Sequence, residues 1–79
     1  MEQTIIKIII RLTGYSQLNE NKDIDLIENE ILDSLAFIEL ITALEEEFNI
    51  EIQPTQVNID TWRNIKSITE YIENLVNSK

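Results

Sequence analysis

Apolar residues fall into three amphipathic stretches separated by polar segments. In the first stretch they recur at intervals of three and four, as on one face of an α-helix: Ile5, Ile8, Ile9 and Leu12. β-Branched residues dominate here, and they also favour a strand. Lys7 and Arg11 lie four residues apart on the other face. This spacing predicts a helix over 3–13, ended by Gly14.

The second and third stretches also have helical spacing. The second predicts a helix over 34–48 with Asp33 as its N-terminal cap, and its apolar face is formed by Phe37, Leu40, Ile41, Leu44 and Phe48. The third predicts a helix that begins after Asn64, with a stripe of Ile65, Ile68, Ile72, Leu75 and Val76. Between them, residues 49–53 are expected to be extended, and 55–63 to contain a short helix.

Residues 15–33 form a polar, acidic segment with almost no periodicity, which predicts a long loop. Six apolar side chains are available to attach it to the core: Leu18, Ile24, Leu26, Ile27, Ile31 and Leu32. With three longer helices, one short helix and this loop, we expect a single domain over 1–79. The predicted fold class is all-α, a small four-helix bundle.

The charge is concentrated in one part of the chain. Residues 20–51 carry eleven acids and one base, a net charge of −10, and the remainder carries +1, which gives −9 for the 79 residues. Nucleic acid is therefore excluded as a partner, since its phosphates would be repelled. Basic patches on other proteins are expected partners, and a solubilising surface is the other interpretation. The same repulsion predicts a monomer.

The chain is poorly equipped for catalysis or for membrane insertion. It has no Cys and no His, which removes the usual nucleophile and the usual general base, so we do not expect an enzyme. Its longest apolar run, residues 8–10, is far shorter than the ~20 residues needed to span a bilayer. No signal peptide is visible, and we expect a cytoplasmic protein.

Ser34 is the main candidate for chemistry. It lies at the predicted start of the second helix, where backbone N–H groups are free and the helix dipole is positive. A phosphate ester would be stabilised there. Serine is also a favoured helix cap, so capping alone is the competing interpretation.

The residues around Ser34 resemble a known attachment site. The stretch over 32–48 reads LDSLAFIELITALEEEF. It resembles the phosphopantetheine attachment region of acyl and peptidyl carrier proteins, and the likeness extends over nearly the whole chain. The resemblance implies that 4'-phosphopantetheine from coenzyme A is joined to Ser34, flanked by Asp33 and Leu35. It also implies that the arm holds its cargo as a thioester.

The C-terminal half is similar to D-alanyl carrier proteins at five positions: Asp60, Trp62, Asn64, Lys66 and Ile68. That similarity implies D-alanine as cargo, for esterification of teichoic acid. An acyl carrier protein of fatty acid or polyketide synthesis is the alternative. The family commonly has glycine four residues before the serine, and this chain has Glu30, which resists a positive φ. Trp62 is interpreted as a core or boundary aromatic.

The resemblance also implies partner enzymes. These are a phosphopantetheinyl transferase, a loading ligase or adenylation enzyme, and a downstream transferase. Four acids of the second helix are interpreted as steering basic patches on these enzymes: Glu39, Glu45, Glu46 and Glu47. Phe37 has two interpretations, a core residue or an exposed contact for a partner.

Two other functions remain open from the residues alone. Positions 1, 3, 5, 7 and 12 of an EF-hand calcium loop are matched by Asn19, Asn21, Asp23, Asp25 and Glu30. Position 6 should be glycine and is Ile24, so no metal site is predicted. A helical adaptor would dock through 34–48 and would carry no covalent arm.

Overall fold

The structure is a computed structural model that describes residues 1–53, 55 and 57–78. The described chain contains three α-helices, which are α1 (Glu2–Thr13), α2 (Ser34–Phe48) and α3 (Ile65–Asn77). It also contains two 3-10 turns, Leu18–Glu20 and Ile59–Thr61. No β-strand occurs in these residues. The all-α prediction is therefore confirmed.

The first stretch forms a helix rather than a strand. Its apolar face lies in the core, where four isoleucines are buried: Ile5, Ile6, Ile8 and Ile9. Lys7 and Arg11 are exposed, as the spacing predicts. The helix ends at Gly14, which has a φ of 77° and donates its N–H to the carbonyl of Ile10 at 2.7 Å. A left-handed glycine is a common C-terminal helix stop.

The core lies around α1, which packs against both α2 and α3. The apolar faces predicted for α2 and α3 are buried at Phe37, Leu40, Ile41, Leu44, Ile65, Ile68 and Ile72. Trp62 is 1% exposed, which confirms its predicted place among the core and boundary aromatics. Its ring meets Phe37 at 5.5 Å and Tyr71 at 5.6 Å, both edge to face. Each such pair contributes about 0.5–1.5 kcal/mol beyond burial.

The segment between α1 and α2 is attached to the core by side chains spread along its length. Of the six apolar residues expected there, three are buried, Leu18, Leu26 and Leu32, and three are half-buried, Ile24, Ile27 and Ile31. An exposed ion pair joins Lys22 in this segment to Glu2 of α1 at 3.2 Å. The segment therefore packs as part of the domain.

The chain between α2 and α3 returns along the bundle. Asn49 ends α2 with a φ of 53°, and Ile52 is buried a few residues later. The short helix expected over 55–63 corresponds to the described 3-10 turn Ile59–Thr61, while positions 54 and 56 lie outside the described residues. Asn64 caps α3, as predicted, by accepting a hydrogen bond from the N–H of Ser67 at 2.8 Å.

Candidate functional site

The start of α2 is built by Asp33. Its backbone is extended, and its carboxylate accepts a hydrogen bond from the N–H of Ala36 at 2.8 Å. Its carbonyl accepts the N–H of Phe37, also at 2.8 Å. Asp33 is therefore the N-terminal cap, as predicted, and Ser34 is the first helical residue.

Ser34 is exposed, and its hydroxyl makes no hydrogen bond within the described part of the chain. The capping interpretation of this serine is therefore wrong, because Asp33 has that role. The backbone N–H groups of Ser34 and Leu35 also have no hydrogen-bond partner among the described residues. A phosphate ester on Ser34 would lie beside these donors, at the positive end of the helix dipole.

Two open hollows flank Ser34. We call the first the α2 hollow, which has a volume of about 390 Å³ and is lined by Ser34, Phe37, Ile38, Thr55, Val57, Asn58 and Ile59. We call the second the loop hollow, of about 490 Å³, lined by Ile27, Glu30, Leu32, Asp33, Ser34 and Ile59. Both include Ser34 and Ile59. An arm attached at Ser34 would therefore begin beside two open hollows.

Leu35 and Ile38 form an exposed apolar pair beside the serine, with 69% and 53% of their surface accessible. Leu35 was expected only as part of the attachment motif, and Ile38 was not predicted to have a role. The signal was present, because both positions fall outside the stripe of buried residues on α2. The residues lining the α2 hollow from 57–59 had no comparable sequence signal.

The backbone before Asp33 contains a tight turn that normally uses glycine. Glu30 has a φ of 57°. Its N–H donates to the carbonyl of Ile27 at 3.1 Å, and the N–H of the next residue, Ile31, donates to the carbonyl of Leu26 at 2.9 Å. These two bonds form a Schellman motif with Glu30 at its left-handed position. Glu30 thus adopts the positive φ that glutamate was expected to resist, and the turn forms without glycine.

Asp25 organises the beginning of this turn. Its Oδ1 accepts the N–H groups of Ile27 and Glu28 at 3.0 and 2.8 Å, and its Oδ2 lies 2.8 Å from Nε of Arg63. The bond from Glu28, followed by that from Arg63, lowers the pKa of Asp25, and Asp25 in turn raises the pKa of Arg63. Both carboxylate oxygens of Asp25 therefore take part in hydrogen bonds that hold the fold together.

The calcium-loop alternative gains no support from this geometry. Asp25 would have to act as a metal ligand, and its carboxylate is already bound by Arg63 and by backbone N–H groups. Within residues 1–53, 55 and 57–78, no group of three acidic side chains is placed to hold a metal ion.

Two of the residues interpreted as partner contacts also make contacts within the fold. Phe37 is only 8% exposed and packs on Trp62, so it is a core residue that also lines the α2 hollow. Glu45 is half-buried, and its Oε2 accepts the N–H of Ile52 at 2.9 Å, which ties the returning chain to α2. Glu39, Glu46 and Glu47 are exposed on α2.

Comparison with known proteins identifies the class. Residues 3–72 match the family described as "Phosphopantetheine attachment site". The match spans most of the chain, so this protein belongs to that family. Phosphopantetheine is therefore its prosthetic group, and an exposed serine at the start of a helix fits such a group. No helix in the described residues is both long and apolar enough to cross a membrane.

Within that class, the chain is similar to proteins named D-alanyl carrier protein. It is 35% identical to that of Streptococcus pyogenes serotype M1 over 75 residues, which cover 95% of this chain and 94% of the relative. It is 30% identical to that of Leuconostoc mesenteroides over 76 residues, 96% of each chain. For the Enterococcus faecalis protein the identity is 29% over 75 residues, 95% of this chain and 96% of the relative.

Proposed function

We propose that Ser34 carries the phosphopantetheine arm and that the arm holds an aminoacyl group as a thioester. The observation that carries this proposal is the exposed Ser34 hydroxyl, released from capping by Asp33. The similarity to D-alanyl carrier proteins favours D-alanine as the aminoacyl group. The protein is a carrier, and the chemistry belongs to the enzymes that load and unload it.

The division of roles follows from the side chains present. The arm, when bound, supplies a thiol, and the chain itself has no Cys. Ser34 provides the oxygen of the phosphodiester, and the N–H groups of Ser34 and Leu35 stabilise its negative charge. The tether keeps the cargo at high effective concentration near a docked enzyme.

The expected partners are a phosphopantetheinyl transferase, a loading ligase and a downstream transferase. Exposed Glu39, Glu46 and Glu47 on α2 would attract basic patches on these enzymes and raise the rate of association. The family assignment also supports a four-helix bundle with a long first loop and a short helix over 55–63. We also propose a cytoplasmic monomer, and the net charge of −9 supports the monomer because like-charged copies repel each other.

Intact mass spectrometry tests the attachment site. The unmodified protein is incubated with coenzyme A and a broad-specificity phosphopantetheinyl transferase. We expect a gain of one phosphopantetheine, absent from Ser34→Ala and retained in Ser16→Ala, which removes another exposed serine outside the helices. No gain in the parent protein would favour the adaptor without a covalent arm, and a gain retained in Ser34→Ala would place the arm elsewhere.

A loading experiment then identifies the cargo. The modified protein is offered to a D-alanine ligase and, separately, to an acyl-loading enzyme, and the thioester is measured by its release with hydroxylamine. We expect loading by the D-alanine ligase. Loading by the acyl enzyme alone would favour the acyl carrier alternative.

A further inference from the structure

Arg63 connects two segments of the chain that lead to the residues around Ser34. Its Nε lies 2.8 Å from Asp25, and its terminal nitrogen lies 3.7 Å from the carboxylate of Asp60. Its carbonyl accepts the N–H of Leu26. One residue therefore joins the turn before α2 to the 3-10 turn before α3.

Those two segments form different parts of the lining of the loop hollow beside Ser34. The turn held by Asp25 continues into Ile27, Glu30 and Leu32, which line the loop hollow. Asp60 belongs to the 3-10 turn that contains Ile59, and Ile59 lines both hollows. The contacts of Arg63 therefore link these two parts of the lining.

We propose that Arg63 is a positioning residue for the modification of Ser34. Its ion pairs with Asp25 and Asp60 hold the two parts of the lining in the arrangement that a modifying enzyme contacts. This inference rests on the proposed function, because it concerns an enzyme that acts at Ser34. It assigns to Arg63 a role that acts through other residues and needs no contact with the arm.

Because the ion pair between Arg63 and Asp25 is exposed, a positioning effect on modification can be distinguished from a loss of global stability. The side chains of Arg63 and Asp25 are 43% and 27% accessible, and pairs this exposed contribute little to global stability. Lys22 and Glu2 form a matched pair, with 44% and 43% accessibility, that also ties the first loop to the rest of the domain. Neither of these residues lines a hollow at Ser34.

Four variants distinguish the possibilities. Arg63→Gln removes the charge but keeps the backbone bond to Leu26, and Arg63→Lys restores the charge. Asp25→Asn keeps an oxygen that can accept the N–H groups of its own turn. Lys22→Gln is the control. Each variant is measured as a substrate of the transferase, by thermal unfolding, and by amide hydrogen exchange at residues 58–61.

For Arg63→Gln and Asp25→Asn we expect the KM for modification to rise about fivefold and kcat to stay within about twofold, the pattern of lost binding rather than lost chemistry. Exchange at 58–61 should become about tenfold faster, while the Tm falls by less than about 5 °C. Arg63→Lys should return the KM to within about twofold of the parent value.

Two results would overturn the positioning role while leaving the proposed function intact. One is that the parent protein is modified and the KM of Arg63→Gln equals the KM of the parent. The other is an equal rise in KM for Lys22→Gln. Failure of the parent to accept phosphopantetheine at all would overturn both the proposed function and this inference.

Discussion

Glu30 occupies a backbone region that glycine enters freely and other residues enter at a cost. Its φ of 57° is required by the Schellman bonds that turn the chain toward Asp33 and Ser34. For an L-residue this conformation costs roughly 1–2 kcal/mol, because Cβ approaches the backbone. Asn49 and Gly14 also have positive φ, but both types tolerate it better. The strain is therefore concentrated at Glu30, beside the candidate site.

Glu30→Gly should stabilise the protein by about 0.5–1 kcal/mol, because relief of strain exceeds the extra entropy of the unfolded chain. Urea denaturation followed by circular dichroism measures the change. Glu28→Gly is the matched control, since it removes the same exposed charge from the same turn at a residue without positive φ. We expect this control to be destabilised by about 0.5–1 kcal/mol. A Glu30→Gly protein no more stable than the parent would show that Glu30 is not strained.

At the scale of the helices, α2 and α3 begin in the same way. Each has an extended cap residue whose side-chain oxygen accepts the N–H three residues later at 2.8 Å: Asp33 in α2 and Asn64 in α3. Such a bond satisfies one of the N–H groups left free at a helix start. The serine that follows Asp33 contributes nothing to this cap.

Asp33→Ala and Asn64→Ala should each destabilise the protein by about 1 kcal/mol, whereas Ser34→Ala should change stability by less than about 0.5 kcal/mol. The same denaturation measurement gives all three values. A loss for Ser34→Ala as large as that for Asp33→Ala would mean that the serine hydroxyl supports the helix, contrary to the structure.

At the scale of the whole molecule, the charge is distributed unevenly. Most of the acids lie within 20–51, and three of them, Glu39, Glu46 and Glu47, are exposed on α2, the helix that begins with Ser34. Glu45 is excluded from this exposed set by its bond to Ile52. A field of this kind acts on the rate of encounter with a basic partner, and salt screens it.

Association with the transferase should therefore slow about tenfold between roughly 20 mM and 300 mM salt. Stopped-flow measurement of the rate constant tests this. Glu39→Gln should slow association at low salt by about twofold, and Glu73→Gln, an exposed acid of α3 outside the acidic region, should not. Rates that do not depend on salt would exclude steering by charge.

The hydrogen bond that Asp25 accepts from the N–H of Glu28, followed by its bond from Arg63, lowers the pKa of Asp25 and gives the fold a dependence on pH. Because the folded state lowers the pKa of Asp25, its contribution is present above the ordinary pKa of an aspartate and is lost as the pH falls through the lowered value. Asp25→Asn should therefore lose less stability than the parent between about pH 5 and pH 2. Thermal unfolding across this range measures the difference. Parallel curves of Tm against pH for the two proteins would show that the pKa of Asp25 is the same in the folded and unfolded states.

The features of the fold that could be predicted from the sequence are those marked by residues close together in the chain. The faces of the three helices, the Gly14 stop and the caps Asp33 and Asn64 follow from spacing and residue type within a few positions, and these predictions are confirmed. Ser34 could be selected in the same way. The phosphopantetheine arm required a resemblance, since Asp-Ser-Leu alone is also a capping sequence.

The remaining features depend on contacts between distant parts of the chain. The pairing of Asp25 with Arg63 spans 38 positions, and no local pattern marks it. In the sequence Glu45 cannot be distinguished from its exposed acidic neighbours, because its hydrogen bond from the N–H of Ile52 depends on the path of the returning chain. Phe37 lies on the apolar face of α2, but the choice between core and partner contact required the position of Trp62.

Asp33 forms the helix cap, and the neighbouring Ser34, where we propose that the arm is attached, takes no part in it. A group added to the Ser34 oxygen breaks no hydrogen bond of the described structure, and the exposed position displaces no packed side chain. By thermodynamic linkage, a group that interacts more favourably with the folded chain than with the unfolded chain stabilises the fold. The free N–H groups of Ser34 and Leu35 lie at the positive end of a helix only when α2 is folded. A phosphodiester at Ser34 should therefore add to the stability of the fold, whereas the unmodified protein already has every hydrogen bond of the cap that Asp33 forms.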